Sequence, residues 1–115
     1  MLRKTISDSV KVRNVLDEIA KLARKGAKEL GFTDISSVVA ETFGSQYLIN
    51  IIFSYKGKSH RVYGSIPLVT IISLDADELE LFIECRAKDL IRHMYRASDK
   101  YNEIPQTEEE YEQKN

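Results

Sequence analysis

The chain has 115 residues, of which 43% are hydrophobic and 30% are charged, and its formal net charge is −1. These values are typical of a single packed domain and exclude the composition of a disordered chain. No apolar run approaches the ~20 residues that a membrane helix needs, and polar Ser7-Asp8-Ser9 stands where a secretion signal has its apolar core. The single cysteine cannot form an internal disulfide. We therefore expect a soluble, cytoplasmic protein that does not associate with membranes.

The acidic residues are concentrated at the C-terminus. Residues 101–115 contain five glutamates and one lysine, which give this segment a charge of −4. Pro105 interrupts any helix there, and runs of like charge are usually solvated. The sequence predicts a single α+β domain over residues 1–100 and an acidic, flexible tail over residues 101–115.

The first predicted element is an amphipathic helix from about Ser9 to Leu30. Apolar residues recur in it at steps of three or four and therefore share one side of a helix: Val12, Leu16, Ile19, Ala23, Ala27 and Leu30. Gly31 followed by Phe32 is a typical helix end. Gly26 lies inside the helix, where glycine costs about 1 kcal/mol relative to alanine, so we expect a closely packed neighbour at this position.

Three strands are predicted next, because the apolar pattern changes to a period of two. Their ranges are Ile35 to Phe43, Gln46 to Tyr55 and His60 to Ile66. Gly44-Ser45 suits a two-residue hairpin turn, which would pair Phe43 with Gln46. A turn around Lys56-Gly57-Lys58-Ser59 would pair Tyr55 with His60.

This register assigns the side chains to two faces of the sheet. The predicted core face holds Val38, Ala40, Tyr47, Ile49, Ile51, Phe53, Tyr55, Val62 and Ile66. The other face, here called the outer face, mixes polar residues with five sizeable apolar ones: Val39, Phe43, Leu48, Ile52 and Tyr63. An antiparallel sheet with one solvated face should alternate more cleanly, so we expect a partner to cover the outer face.

A second long helix is predicted from Ala76 to Ala97, with Asp75 as its N-cap. The apolar residues 68–74 before it suit either a short fourth strand or a buried connection. The element order α-β-β-β-(short β)-α predicts a two-layer α+β sandwich, in which an antiparallel meander carries both helices on one face.

The sequence contains no recognisable catalytic, cofactor-binding or metal-binding set. The five glycines are scattered, and His60, His93 and Cys85 lack the spacing of metal ligands. We interpret Cys85 as a semi-buried helix residue, and the acids at the start of the second helix as charges that stabilise its dipole. His60, facing Tyr55 across a hairpin, is interpreted as bonded to backbone. We expect no enzymatic activity and no cofactor.

The apolar outer face favours a regulatory, adaptor or inhibitor domain that acts by binding protein. Contiguous apolar patches usually mark interfaces, and pairing of two identical faces into a homodimer is the simplest way to cover this one. One alternative is that the C-terminal segment folds over the outer face instead.

A second hypothesis is nucleic-acid binding. The order helix, three strands, helix is similar to that of double-stranded RNA-binding domains, which hold phosphate with lysines and insert a loop into a groove. Seven basic residues could supply phosphate contacts: Lys21, Arg24, Lys25, Lys28, Lys56, Lys58 and Arg61. However, the second helix begins with acids where that family has lysines, and the Gly44-Ser45 turn is short. Protein binding is therefore the preferred interpretation.

Overall fold

The computed structural model describes residues 2–42 and 46–100, with side chains described over 10–41 and 46–100. The elements are α1 (Leu2–Glu29), β1 (Thr33–Thr42), β2 (Gln46–Tyr55), β3 (Lys58–Pro67), α2 (Leu68–Ser73) and α3 (Ala76–Ala97). The strands form one antiparallel sheet in the order β1-β2-β3. The predicted α+β fold is confirmed, while the predicted tail, residues 101–115, lies outside the described residues.

The core lies between the sheet and the two long helices. The apolar side of α1 is buried as the periodicity predicted, since Ile19, Ala23 and Ala27 are fully inaccessible. β2 buries alternate residues against it, and α3 adds Leu90 and Met94. Burial of each large apolar side chain contributes about 1.5–3 kcal/mol, so this shared core holds the two layers together. No helix in the described part of the chain is both long and apolar enough to cross a membrane.

Two glycines allow the layers to approach closely. A Cβ on Gly26 would lie 2.8 Å from Cγ1 of Ile91 on α3 and closer still to its Cδ1. The predicted close neighbour of Gly26 is therefore α3. A Cβ on Gly64 of β3 would lie 3.2 Å from Cδ2 of Leu90, so α3 also sits tightly on the sheet.

The end of α1 follows the predicted glycine signal. Gly31 has φ +90°, and the amide of Phe32 donates to the carbonyl of Ala27 at 3.1 Å. The chain then turns back, and the ring of Phe32 packs on Phe53 with 4.6 Å between centroids. This contact fixes the end of α1 above the start of β1.

The predicted register of β1 against β2 is wrong by one residue. Gln46 pairs with Thr42 instead of Phe43, so Val39 pairs with buried Ile49 and Val38 pairs with Asn50. Three residues of the chain, 43–45, therefore separate the paired residues Thr42 and Gln46, one more than predicted, and they lie outside the described residues. Because side chains alternate along a strand, this shift moves Val39 to the helix-covered face and brings Val38 to the outer face.

The same shift moves Ala40 from the predicted core face to the outer face, opposite Leu48. The pairing of β1 is irregular between Thr33 and Ser36, where Asp34 has φ +51°. Ile35 lies on the same face as Ser37 and Val39 and packs against the core.

The second hairpin is tighter than predicted. Lys56 and Gly57 form the turn with φ +50° and +79°, so Tyr55 pairs with Lys58 and Phe53 pairs with His60. The predicted pairing of Tyr55 with His60 is wrong by two residues. A shift of two keeps every side chain on its predicted face, so Tyr63 remains on the outer face.

Of the two alternatives for residues 68–74, the structure shows a connection and no strand. Leu68–Ser73 is the short helix α2, which buries Ile71 and leaves Val69 exposed. Lys11 of α1 donates from Nζ to the carbonyls of Ile72 and Leu74, at 3.2 and 3.0 Å. These bonds satisfy carbonyls at the end of α2 and fix the connection against α1.

Candidate interaction surface

The outer face carries a compact apolar patch in the middle of the sheet. We call its five residues the outer patch: Val38, Ala40, Leu48, Ile52 and Tyr63. Val38 and Tyr63 flank Asn50 of the central strand in one row, and Leu48 and Ile52 lie two residues to either side of Asn50. Val38 is 57% exposed and Tyr63 is 64% exposed. Val38 of β1 and Tyr63 of β3 are thus exposed to solvent, while Leu48 and Ile52 of β2 are half-buried between them.

Three of the five predicted interface residues, Leu48, Ile52 and Tyr63, lie on this face. Val39 lies on the opposite face, as the register requires, and Phe43 is outside the described residues. Val38 and Ala40 take the place that was predicted for Val39. The sequence pattern of β1 does not show which of the two faces the core, because Val38 and Val39 are adjacent and equally apolar.

Polar side chains lie at both ends of the outer patch. Ser65 donates from Oγ to Oε1 of Gln46 at 2.6 Å, which ties β3 to β2 at one end of the patch. Arg61 pairs with Ile52 and marks the other end. Within the described residues, the side-chain amide of Asn50 has no hydrogen-bond partner. A polar rim around an apolar centre is typical of protein interfaces.

The seven basic residues of the nucleic-acid hypothesis do not form one surface. Lys21, Lys25 and Lys28 are exposed on the side of α1 that faces away from the core. Arg24 is half-buried and donates to Oγ of Ser37 on β1. Arg61 lies on the outer face of the sheet, on the opposite side of the two-layer sandwich from the exposed lysines of α1.

The two lysines of the second hairpin are also separated from Arg61. Lys56 lies in the turn with its Nζ 5.6 Å from the centre of the Tyr55 ring. Lys58 pairs with Tyr55 and so shares the helix-covered face. A nucleic acid bound along the exposed lysines of α1 could therefore leave Arg61 without a phosphate contact.

The acids at the start of α3 have a structural role. Asp75 accepts from the amide of Glu78, and the Glu78 carboxylate accepts from the amide of Asp75, both at 2.9 Å. This capping box satisfies two amides of the first turn. No group of three or more potential metal ligands occurs among the described residues.

The remaining candidate groups are also placed by the fold. Cys85 is exposed, so the prediction of a semi-buried thiol is wrong; it lies on the side of α3 away from the sheet. His60 stacks on Phe53 with 5.3 Å between ring centroids instead of facing Tyr55. Tyr55 instead contacts Phe32 and the Nζ of Lys100, which lies 4.9 Å from its ring centre.

A concave feature that was not predicted from the sequence lies between α3 and β3. We call this cleft, of about 260 Å3, the edge cleft. Its lining residues come from three elements: Ile49, Tyr63, Gly64, Ser65, Ile66, Arg86, Asp89, Leu90 and His93. The available sequence signal was Gly64, since a glycine inside a strand often marks a place where another group approaches the backbone.

Comparison with known proteins gives no relative for this chain: no family model, no curated protein and no solved structure matches it.

Proposed function

We propose that this protein is a non-enzymatic regulatory or inhibitor domain that acts by binding protein, and that the outer patch is its interface with a second copy of itself. The observation that carries the proposal is the exposure of Val38 and Tyr63 on a face opposite to both long helices. Within residues 2–42 and 46–100, the helices cover one side of the sheet and leave the other uncovered, and burial of apolar side chains on that other side would stabilise a complex.

Asn50 supports a second copy over an unrelated partner. Its side-chain amide lies in the centre of the outer patch, where an apolar partner would bury that amide without a hydrogen bond. An unsatisfied buried amide costs about 1–3 kcal/mol. In a twofold dimer with its axis near Asn50, the two amides can donate to and accept from each other, so self-association removes this cost.

The size of the sheet limits the affinity. Three strands at about 4.8 Å spacing and about 33 Å length present a planar area of about 480 Å2 per protomer. Two such faces bury about 1,000 Å2 in total, below the ~1,600 Å2 that is usual for a stable complex. We therefore expect a dissociable dimer with a dissociation constant in the micromolar range.

The experiment is sedimentation or light scattering of the full chain at about 1 and about 100 µM, concentrations that bracket such a constant. The mass should rise from one copy towards two. Ile52→Glu combined with Tyr63→Glu should keep the mass at one copy, because each pair of facing patches would bury four like charges.

The matched control is Val69→Glu combined with Leu81→Glu. Both residues are exposed apolar side chains, at 70% and 62%, but they lie on α2 and α3 instead of the sheet. This variant carries the same added charge and should still dimerise. A wild-type chain that stays at one copy at both concentrations would contradict self-association.

Nucleic-acid binding is the second candidate, and only the α1 surface supports it. Lys21, Lys25 and Lys28 are exposed there, and none of them forms an ion pair within the described residues. Three phosphate contacts give weak binding that falls with added salt at a slope of about −3 in log–log form. A triple change of these lysines to glutamate should abolish any mobility shift with duplex RNA or DNA. No shift of the wild-type chain at low salt would exclude this candidate.

A further inference from the structure

We propose that the edge cleft binds an extended acidic peptide segment of a partner protein, which adds a strand to the open edge of β3. This binding site uses the backbone edge of the sheet and one side of α3, and it shares only Tyr63 with the outer patch. Arg86 lies outside the outer patch, so a variant at Arg86 tests peptide binding without changing the surface proposed for self-association.

The backbone of β3 provides the first argument. β3 is at the edge of the sheet, so alternate amides and carbonyls along its ten residues point away from β2. None of the described strands pairs with this edge. Edge strands are usually protected by lysine, proline or a bulge, but the centre of β3 is Tyr63-Gly64-Ser65. Tyr63 and Ser65 are exposed, so an incoming strand can approach this segment.

The floor of the cleft provides the second argument. The base of the cleft is apolar, since Ile49, Ile66 and Leu90 line it, and Leu90 packs closely against Gly64. At about 260 Å3 the cleft is smaller than most small-molecule sites, which have about 300–1,000 Å3. It suits one or two side chains of a strand bound along β3. Pockets of this kind provide specificity when a peptide is held mainly through its backbone.

The charged side chains on the α3 side of the cleft favour an acidic ligand. Asp89 lies between two guanidinium groups, 3.9 Å from Arg86 and 3.5 Å from Arg92. The Asp89 carboxylate is shared by two guanidinium groups, so these three side chains together carry a charge of +1. Arg86 lines the cleft, and its side chain is 42% exposed. A glutamate or aspartate on the bound strand can accept from the Arg86 guanidinium at the mouth of the cleft.

The test selects ligands for the full chain from a displayed library of random ten-residue peptides. The enriched peptides should carry acidic residues alternating with apolar or β-branched ones. With one synthetic peptide of the enriched sequence, Arg86→Glu should weaken binding about tenfold or more, since it places like charges together. Arg96→Glu is the matched control, because Arg96 is an exposed arginine of the same helix that neither lines the cleft nor contacts Asp89. Its effect should stay within about threefold.

Hydrogen exchange of the wild-type chain distinguishes strand addition from a purely ionic contact. The bound peptide should slow exchange of amides in residues 61–66, whose outward-pointing members are open to solvent without it. Enrichment of no peptide would overturn the proposal. Equal loss of binding in both arginine variants, or unchanged exchange in residues 61–66, would also overturn it. Each readout is independent of the mass measurement that tests self-association.

Discussion

Replacement of Gly26 by alanine tests how tightly the two long helices pack. In an exposed helix this change stabilises a protein by about 1 kcal/mol, because alanine is the better helix former. Here the added Cβ would lie 2.8 Å from Cγ1 of Ile91, whereas carbon atoms in contact are separated by about 3.5–4.0 Å. Ile91 or the whole of α3 must therefore move by about 1 Å.

Overpacking of this kind costs about 1–3 kcal/mol, which offsets the gain of about 1 kcal/mol in helix propensity and on average exceeds it. We expect Gly26→Ala to lower the free energy of unfolding by about 1 kcal/mol, and by about 2 kcal/mol at most. Ile91→Ala removes both atoms that obstruct the new methyl group. In that background, Gly26→Ala should raise the free energy of unfolding by up to about 1 kcal/mol, so the sign of its effect reverses.

The assay is urea unfolding of the four chains of this cycle, followed by circular dichroism at one low protein concentration. With a slope of about 1–2 kcal/mol per molar urea, the midpoint of the Gly26→Ala single variant should fall by roughly 1 M. A Gly26→Ala chain that is more stable than wild type would refute the packing of α1 on α3 at this position. Additive effects of the two changes would refute it as well.

Three further predictions concern single positions. Asp75→Ala removes the capping box of α3 and should lower the free energy of unfolding by about 1 kcal/mol, whereas Asp77→Ala, which lacks these bonds, should cost less. Val39→Asp should destabilise the monomer more than Val38→Asp, by less than about 1 kcal/mol, because Val39 lies on the helix-covered face and is 37% exposed against 57% for Val38; the opposite order in urea unfolding would contradict the register. Cys85 should react fully with a thiol reagent in the native chain, and reaction only after addition of denaturant would contradict its exposure.

The two long helices could be predicted from the sequence because their signals are local. The apolar positions of α1 recur over five turns, and the Gly31-Phe32 end and the Asp75 cap depend on neighbouring residues. The predicted start of the first helix at Ser9 is late, since α1 begins at Leu2. Its first two turns lack the regular apolar spacing on which the prediction depended.

The candidate site was harder to predict because it depends on strand register. In β3 the error was two residues, and Tyr63 stayed on its predicted face. In β1 the error was one residue, and the interface lost Val39 and gained Val38. A turn of two residues and one of three are both compatible with the sequence around Gly44, but they give opposite faces.

The sequence by itself determined the order of the elements, the buried side of each helix and the apolar character of both faces of the central strand. These properties follow from the spacing of residues within one element, which is fixed by backbone geometry. Only the tertiary structure decided which of Val38 and Val39 lies on the outer face, and that Gly64 and Arg86 line one cleft. Both depend on how separate elements pair, and pairing is set by the total free energy of the packed chain.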